Sequence, residues 1–278
     1  MDVEGSSVKG YHPLDKYLRT DRLPHIWCPG CGLGINLGSI MRAIDRRVRE
    51  GSLKRENIVF VTGIGCSART SFYVNFDAAH TLHGRAVAFA TGAKLAKPGL
   101  EMIIIGGDGD IAGIGGNHLI HAAKRNMDLI VVMVTNFVYA MTGGQMAPTT
   151  PRGLYTTTTP YGNPEPPLNA VKLISSLNPN YVARASVTHP PLIEQFMYRA
   201  LGMKGFRFIE VLSTCPEIFG RHIGLRDPVT LYNTLRSKVV VKQNPNVEES
   251  ELDWEKGFVL GEYIMRDNPS YLEILGRR

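Results

Sequence analysis

The chain has 278 residues, of which 44% are hydrophobic and 20% charged, and its formal net charge is +6. This composition excludes disordered and fibrous proteins, because apolar residues are plentiful and the charge is modest. The longest apolar run, residues 129–134, has the length of a strand and falls far short of the roughly 20 residues that cross a bilayer. The first residues lack the basic and apolar regions of a signal peptide, so we expect a cytoplasmic protein without a membrane partner.

Residues 1–27 are mixed and polar and contain Pro13 and Pro24, so we predict an extended N-terminal arm that ends at Trp27. After the arm, short apolar runs alternate with amphipathic stretches of helical spacing. This alternation predicts an α/β fold with a largely parallel sheet and helices on both faces. The predicted strands span 58–61, 102–105, 129–135, 181–187 and 206–212, and the predicted helices span 35–49, 81–96, 117–125 and 191–203.

Two segments stand outside this alternation. Residues 143–167 are rich in Thr, Pro and Gly and predict a long ordered loop, which is consistent either with a lid over a substrate or with a plain surface loop. Residues 220–278 carry more charge and a weaker periodicity, and we expect them to form a C-terminal extension over or beside the sheet. The predicted organisation is therefore an arm, a core domain over 28–219 and this extension.

The sequence Gly-Asp-Gly-Asp at 107–110 follows a predicted strand and precedes a predicted helix. Glycines let the backbone approach a phosphate, and the helix N-terminus offers unpaired N–H groups. The carboxylates would repel a bare phosphate, so the arrangement favours a cation between them, and Mg²⁺ commonly binds carboxylate and phosphate oxygens together. Asn136 ends the next strand, where it can supply an amide oxygen. The alternative is a tight turn with a helix cap, and the spacing to Asn136 favours the metal site.

The four cysteines form the second candidate site. Cys28 and Cys31 lie in a CxxC turn, which is typical of zinc knuckles, redox pairs and iron–sulfur sites. A zinc ribbon would need a second CxxC, and a thioredoxin-like motif would need a preceding strand. Cys66 and Cys215 each follow a predicted strand, so all four thiols can meet at one sheet edge, as the ligands of a [4Fe–4S] cluster do. The alternative is that Cys66 and Cys215 are small core residues.

In combination these motifs resemble known enzymes. The Gly-Asp-Gly turn with Asn136 is similar to the diphosphate–Mg²⁺ motif of thiamine-diphosphate enzymes. Over about residues 22–227 the chain resembles the β subunits of 2-oxoacid:ferredoxin oxidoreductases, most closely those of the 2-oxoglutarate branch. The motifs that carry this resemblance are WCPGCG at 27–32, GIGCS at 63–67, HTLHGRA at 80–86, GDGD at 107–110, MTGGQ at 141–145 and TCP at 214–216.

The resemblance implies a thiamine-diphosphate-binding fold and three groups of site residues. Cys28, Cys31, Cys66 and Cys215 would hold a [4Fe–4S] cluster. Asp108, the Asn136 side chain and the Val138 carbonyl would bind Mg²⁺. The residues that would contact thiamine diphosphate are Ile64, Gly65, Cys66, Ser67, His83, Gly107, Gly109, Asp110, Ala140 and Met141.

Two further residues receive expectations of their own. Arg69 is a candidate contact for the carboxylate of a 2-oxoacid, with a solvated arginine as the equally weighted alternative. His80 is expected to have a structural role only.

The glutamate that normally pairs with the aminopyrimidine ring has no convincing candidate in this chain, and in the resembling family a separate α subunit supplies it. We therefore expect this chain to be inactive by itself.

The activity implied is the CoA-dependent oxidative decarboxylation of a 2-oxoacid to an acyl-CoA and CO₂. Electrons would pass through the cluster to ferredoxin, and the positive net charge is compatible with an acidic ferredoxin. The MTGGQ segment favours 2-oxoglutarate, while pyruvate or broad specificity stays open. A further alternative is a thiamine-dependent decarboxylase or ligase with structural cysteines. A nucleic-acid-binding protein ranks far below, because the basic residues are dispersed, and no nucleic-acid partner is expected.

Overall fold

The computed structural model describes residues 12–276, and within them eight strands form one sheet in the order β2-β1-β3-β4-β8-β7-β10-β9. A two-stranded hairpin, β5 and β6, lies outside that sheet. The strands are β1 Ile58–Thr62, β2 Asp77–His80, β3 Glu101–Gly107, β4 Leu129–Thr135, β5 Val138–Tyr139, β6 Gln145–Met146, β7 Tyr181–Ser186, β8 Phe206–Leu212, β9 Val239–Val241 and β10 Phe258–Met265. The helices are α1 Leu33–Arg49, α2 Thr70–Tyr73, α3 Ala86–Ala96, α4 Gly116–Lys124, α5 Ala170–Ser175, α6 Pro190–Ala200, α7 Pro228–Ser237 and α8 Tyr271–Ile274.

The sheet is largely parallel, which confirms the predicted fold class. Strands β2, β1, β3, β4, β8 and β7 all run in the same direction. Strand β10 pairs antiparallel with β7, and β9 pairs parallel with β10. The extension over 220–278 therefore supplies two strands of the sheet itself, and its helix α7 covers part of one face. Its division from the core as a separate unit stays a prediction.

Helices cover both faces of the sheet, as predicted. Alternate residues of one strand point into two separate apolar clusters, so that Ile103 and Ile105 pack on one face while Met102 and Ile104 pack on the other. Helices α1, α6 and α7 cover the first face, and α3, α4 and α5 cover the second. Strand β4 lies in the middle of the sheet and is buried along its whole length, which explains its continuous run of apolar residues.

Two predicted boundaries differ from the structure. The helix expected from residue 81 begins at Ala86, because 77–80 form the edge strand β2 and Gly84 turns the chain with a φ of +70°. Strand β2 has little apolar content and is mostly exposed, so it leaves no hydrophobic pattern in the sequence. Helix α5 was not predicted. The helix after Asp108 opens with a π-helical turn over Gly109–Ile114 before α4.

The described part of the N-terminal arm is packed against the core and is not an extended tail. Tyr17 is buried, stacks on Phe76 at 5.6 Å between ring centroids and donates a hydrogen bond to Asp45 at 3.1 Å. Trp27 is also buried. The signal-peptide expectation concerns the first residues, which lie outside the described part. Among residues 12–276, no helix is long and apolar enough to cross a membrane.

Candidate active site

The carboxyl ends of four neighbouring strands carry the predicted motifs. Strands β1, β3, β4 and β8 are adjacent and parallel, so the segments that follow them meet at one edge of the sheet. Ligand sites of open α/β sheets lie at this edge. The segments are 63–67 after β1, 107–110 at the end of β3, 136–138 after β4 and 213–216 after β8.

One cavity at this edge brings together every residue predicted to contact thiamine diphosphate or Mg²⁺. Their roles stay predictions, whereas their proximity is a feature of the structure. Tyr139 and Thr142 also line the cavity, although the sequence reasoning did not single them out. The predicted residues in the lining are Ile64, Gly65, Cys66, Ser67, His83, Gly107, Asp108, Gly109, Asp110, Asn136, Val138, Ala140 and Met141.

Asp108 is buried in this cavity wall and receives three hydrogen bonds. The backbone N–H groups of Gly109 and Phe137 each donate to its carboxylate at 2.9 Å, and the Thr149 hydroxyl donates as well. No Lys or Arg of the described chain forms an ion pair with it. Burial raises the pKa of Asp108 to about 6, against the lowering effect of those hydrogen bonds. A divalent cation would supply the missing positive charge, so this donor set fits Mg²⁺.

Thr149 and Thr150 show that the loop over 143–167 is more than a surface connection. Both side chains are fully buried. The Thr150 hydroxyl donates to the carbonyl of Phe137 at 2.6 Å, while Thr149 bonds to Asp108. The base of the loop therefore helps to hold the segments that carry Asp108 and Phe137. Whether the loop also covers a substrate stays a prediction.

Asp110, the second carboxylate of the motif, holds His83. Its Oδ1 lies 2.6 Å from Nδ1 of His83 and also accepts from the N–H of Gly84 at 2.7 Å. Gly63 and Gly106 have no side chain at the positions where a Cβ would lie 2.2 Å and 2.7 Å from the Asp110 carboxylate. These two glycines therefore leave room for the Asp–His pair.

Gly109 has a packing reason in addition to the one expected from its motif. A Cβ at Gly109 would lie 2.2 Å from the Tyr139 ring, and the Tyr139 hydroxyl donates to the Gly109 carbonyl at 3.1 Å. Tyr139 thus fixes the first turn after the Gly-Asp-Gly motif. The sequence signal for Tyr139 was weak, because an aromatic residue one position after Val138 could equally pack in the core.

A second cavity, of about 250 Å³, is lined by all four cysteines, Cys28, Cys31, Cys66 and Cys215. Hydrogen bonds join the segments that carry them. The Thr214 hydroxyl donates to the Gly30 carbonyl at 2.8 Å, and the Gly32 N–H donates to the Thr214 carbonyl at 3.2 Å. The indole N–H of Trp27 donates to the Cys66 carbonyl at 2.8 Å. The CxxC turn is therefore attached to both of the distant cysteine segments.

The surroundings of the thiols bear on what this cavity holds. Burial, and to a smaller extent the neighbouring thiols, raise the pKa of Cys31 to about 12. Burial also raises the pKa of Cys66 and of Cys215. Four thiolates here would need positive charge from a bound group. Within residues 12–276 no three His, Cys, Asp or Glu side chains are grouped as ligands of a single metal ion. A [4Fe–4S] cluster places each thiolate on a different iron, so a wider spacing around one cavity fits it.

Arg69 and His80 can now be located. Arg69 is half-buried, lines the cysteine cavity and lies near enough to Cys66 to lower its pKa against the dominant effect of burial. No carboxylate in the described chain pairs with Arg69. His80 lies outside both cavities, and its Nδ1 is 3.0 Å from the Thr62 hydroxyl, in keeping with a structural role. Arg69 therefore remains available to an anionic ligand.

Comparison with known proteins agrees with this site. Residues 63–211 match the thiamine pyrophosphate enzyme family, C-terminal TPP-binding domain. The 2-oxoglutarate synthase subunit KorB of Methanothermobacter thermautotrophicus is 42% identical over 270 residues, which cover 95% of this chain and 91% of that protein. KorB of Archaeoglobus fulgidus is 50% identical over 233 residues, 84% of each chain. The chain belongs to the β subunits of the 2-oxoacid:ferredoxin oxidoreductases.

A solved structure supports the same family at the level of the fold. The 2-oxoglutarate:ferredoxin oxidoreductase of Magnetococcus marinus, with 2-oxoglutarate, coenzyme A and succinyl-CoA bound, superposes with a TM-score of 0.81. The two chains are 28% identical, and the match covers 100% of this chain and 95% of that one. The resemblance drawn from the motifs is confirmed. The chain is thus a β subunit of an oxidoreductase of this family, with the fold of the thiamine pyrophosphate enzymes.

Proposed function

We propose that this β subunit oxidises 2-oxoglutarate to succinyl-CoA and CO₂, with thiamine diphosphate, Mg²⁺ and a [4Fe–4S] cluster as cofactors and ferredoxin as electron acceptor. One observation carries the proposal. The cavity that contains Asp108 and the cavity that contains the cysteines share a wall of four residues. A decarboxylation site and a one-electron carrier would therefore be direct neighbours. The shared residues are Cys66, Asn136, Ala140 and Met141.

The residues of the chain divide the work between the two cavities. Asp108, with Asn136 and the Val138 carbonyl, would hold Mg²⁺ against the diphosphate, while the backbone beyond β3 would contact the phosphate oxygens. Thiamine diphosphate, when bound, supplies the electron sink that decarboxylation requires. The four thiols would hold the cluster on the other side of the wall. A cluster held there would accept, one at a time, the two electrons released for each 2-oxoacid oxidised.

Arg69 is proposed to bind a carboxylate of the substrate. Its guanidinium lines the cysteine cavity without a carboxylate partner of its own among the described residues. Guanidinium groups pair with carboxylates through two parallel hydrogen bonds, which a lysine cannot reproduce. If this role is correct, Arg69→Lys should raise the KM for 2-oxoglutarate by roughly tenfold, about 1.4 kcal/mol of binding, with little change in kcat. An unchanged KM would overturn the assignment.

The missing acid–base residue is proposed to come from a partner α subunit. Asp108 and Asp110 are the acidic side chains in the lining of the cofactor cavity within residues 12–276, and both are already bonded to other groups. Exposed apolar side chains include Met141, which lines the cavity, and Leu82, which precedes the cavity-lining His83 and is 77% exposed. An exposed apolar rim of this kind is typical of a surface that another chain covers. The isolated chain should therefore have no CoA-dependent activity.

The deciding experiment is anaerobic co-expression with the α subunit, followed by viologen reduction with CoA and 2-oxoglutarate, pyruvate or 2-oxobutyrate in turn. We expect the highest kcat/KM with 2-oxoglutarate, and no activity from the chain purified alone. A preference for pyruvate would overturn the substrate, and full activity of the isolated chain would overturn the need for a partner. Iron, acid-labile sulfide and thiamine diphosphate are measured in the same preparation.

The cysteines separate this proposal from a thiamine-dependent decarboxylase or ligase with structural thiols. Cys66→Ser and Cys215→Ser should each lose most of the iron and the brown absorption, because each removes one of four ligands. Thiamine diphosphate content of the Cys215→Ser sample serves as the internal control for folding, because Cys215 does not line the cofactor cavity. A colourless wild-type protein that binds thiamine diphosphate would favour the alternative enzyme.

A further inference from the structure

Phe137 has an unusual backbone conformation between two of the proposed metal ligands. Its φ is +69°, in the left-handed region. Within residues 12–276 the other non-glycine residues with positive φ are Asn126 and Asn244, and asparagine tolerates this conformation. For a bulky aromatic residue this conformation is strained and persists only where the surroundings enforce it. Contacts around Phe137 must therefore stabilise this backbone conformation.

Both backbone polar groups of Phe137 form hydrogen bonds with side chains of other segments. Its N–H donates to Asp108 at 2.9 Å, and its carbonyl accepts from the Thr150 hydroxyl at 2.6 Å. The side-chain oxygen of Asn136 accepts from the N–H of Val138 at 3.2 Å, which closes a tight turn around Phe137. An amide oxygen has a second lone pair, so Asn136 keeps one for a cation. This geometry fixes where Asn136 and Val138 lie relative to Asp108.

The ring of Phe137 is held by an aromatic cluster formed by Phe137, Phe219, Trp254 and Phe258. Its ring centroid is 5.0 Å from that of Phe219, 5.5 Å from that of Trp254 and 5.9 Å from that of Phe258. Trp254 also contacts Phe219 at 4.8 Å and Phe258 at 6.0 Å. Aromatic pairs in these arrangements stabilise one another beyond the burial of their surfaces. Three such contacts to one ring can hold Phe137 in its strained backbone conformation.

Two of the four rings, those of Trp254 and Phe258, belong to the C-terminal extension. Trp254 precedes β10, the antiparallel strand beside β7, and Phe258 is the first residue of that strand. Phe219 follows Cys215 closely, and the N–H of the next residue, Gly220, donates to the Cys215 carbonyl at 2.9 Å. Through Phe137 the aromatic cluster thus contacts residues 136–138, and through Phe219 it contacts the segment that follows Cys215.

We propose that Phe137 is a positioning residue for the divalent cation, and that the C-terminal extension acts on the site through it. The aromatic cluster holds Phe137 in the left-handed conformation, and that conformation directs the Asn136 amide and the Val138 carbonyl toward a cation at Asp108. This inference rests on the Mg²⁺ site of the proposed function. It assigns residues 254 and 258 a role in cofactor binding at a distance from the cofactor itself.

The variant Phe137→Gly tests whether the ring of Phe137 is needed for cation binding, or only a backbone that can adopt positive φ. Glycine adopts positive φ without strain, so it keeps the turn accessible while removing the ring that holds it. We expect the Mg²⁺ concentration that half-saturates thiamine-diphosphate binding to rise about tenfold in Phe137→Gly, and severalfold in Trp254→Ala. Trp254→Phe keeps an aromatic ring at that position and should restore most of the affinity.

The measurement uses the full chain in complex with its α subunit, with thiamine-diphosphate binding followed by calorimetry across a Mg²⁺ titration. Mn²⁺ in place of Mg²⁺ gives a second readout, because its electron paramagnetic resonance spectrum reports the symmetry of the ligands, and we expect it to broaden in Phe137→Gly. Phe206→Leu is the matched control. It removes a buried ring from the opposite apolar cluster and should leave the Mg²⁺ dependence unchanged.

The outcomes distinguish this inference from the proposed function. Wild-type protein that binds thiamine diphosphate equally well without divalent cations would overturn the Mg²⁺ site itself. Wild-type Mg²⁺ dependence that persists unchanged in Phe137→Gly and Trp254→Ala would overturn the positioning role and leave the site intact. An equal rise in Phe206→Leu would show that general loss of stability is the cause, and would also overturn the role.

Discussion

Two buried aspartates, Asp108 and Asp128, lie at opposite ends of the parallel strands and have opposite surroundings. Asp108 directly follows β3 at the carboxyl end and is bonded to backbone N–H groups and a hydroxyl. Asp128 precedes β4 at the amino edge and pairs with Lys94 at 2.7 Å and with Arg207 at 2.8 Å. Burial raises the pKa of Asp108 to about 6. Burial acts in the same direction on Asp128, but Arg207 and Lys94 outweigh it and lower the pKa of Asp128.

The difference separates structural charges from functional ones. At the amino edge Arg207 also pairs with Glu101 at 3.0 Å, so the buried ions compensate one another within the chain. At the carboxyl edge the negative charge of Asp108 has no cationic partner in the described chain, and an external cation can supply one. Strongly perturbed carboxylates in a cleft are typical of functional sites, whereas paired ones are typical of the scaffold. Three experiments test this distinction.

The largest expected effect is on stability at the amino edge. Asp128→Asn leaves Lys94 and Arg207 with less counter-charge in a buried place, so the free energy of unfolding should fall by roughly 3–5 kcal/mol. Urea denaturation of the cofactor-free chain measures it, with the exposed Asp267→Asn as the matched control. Binding of thiamine diphosphate with Mg²⁺ should not change in the folded variant. A loss below about 1 kcal/mol would show that this ion network does not stabilise the fold.

The next effect is on cofactor binding at the carboxyl edge. Asp108→Ala should weaken Mg²⁺-dependent binding of thiamine diphosphate by about 100-fold or more, since it removes the one carboxylate proposed as a metal ligand. The unfolding free energy of the cofactor-free chain should change by less than about 1 kcal/mol, because the lost hydrogen bonds are offset by removal of a buried, uncompensated carboxylate. Calorimetry and urea denaturation of the same preparation test both parts. Asp128→Asn is the control, because it should lower the unfolding free energy and leave cofactor binding unchanged.

The smallest effect is a pair of opposite pH dependences in metal-free protein. The pKa of Asp108 is raised from 3.8 to about 6, so its ionisation destabilises the folded chain, and its contribution should fall by roughly 1 kcal/mol from pH 5 to pH 7. The pKa of Asp128 is lowered, so its contribution is fully present above pH 3.8 and is lost as the pH falls below that value.

Differences in unfolding free energy between wild type and each variant, measured at several pH values, test these slopes. The wild-type advantage over Asp108→Ala should shrink as the pH rises from 5 to 7, whereas the advantage over Asp128→Asn should be constant there. A constant difference for Asp108→Ala would contradict the raised pKa. A slope for Asp128→Asn in that range would contradict the lowered one.

Much of the fold and the site followed from local patterns. Strand β8 was predicted with its observed limits, and β4 was recognised from its continuous apolar run. The clustering of Asp108, Asn136 and the cysteines followed from one rule, that parallel strands end at a common edge. The misses have a common cause. Strand β2 has no apolar pattern, and β9 and β10 join the sheet through pairings with residues distant in sequence.

The sequence alone determined the chemistry that the site offers: two carboxylates in a glycine-rich turn, an asparagine one strand later, and four thiols placed after strands or in a turn. These are fixed by residue type and by position relative to local elements. Only the tertiary structure decided how those groups are held. The bond from Thr149 to Asp108 and the aromatic cluster around Phe137 join segments far apart in the chain. Such contacts depend on packing, which has no local signature in a sequence.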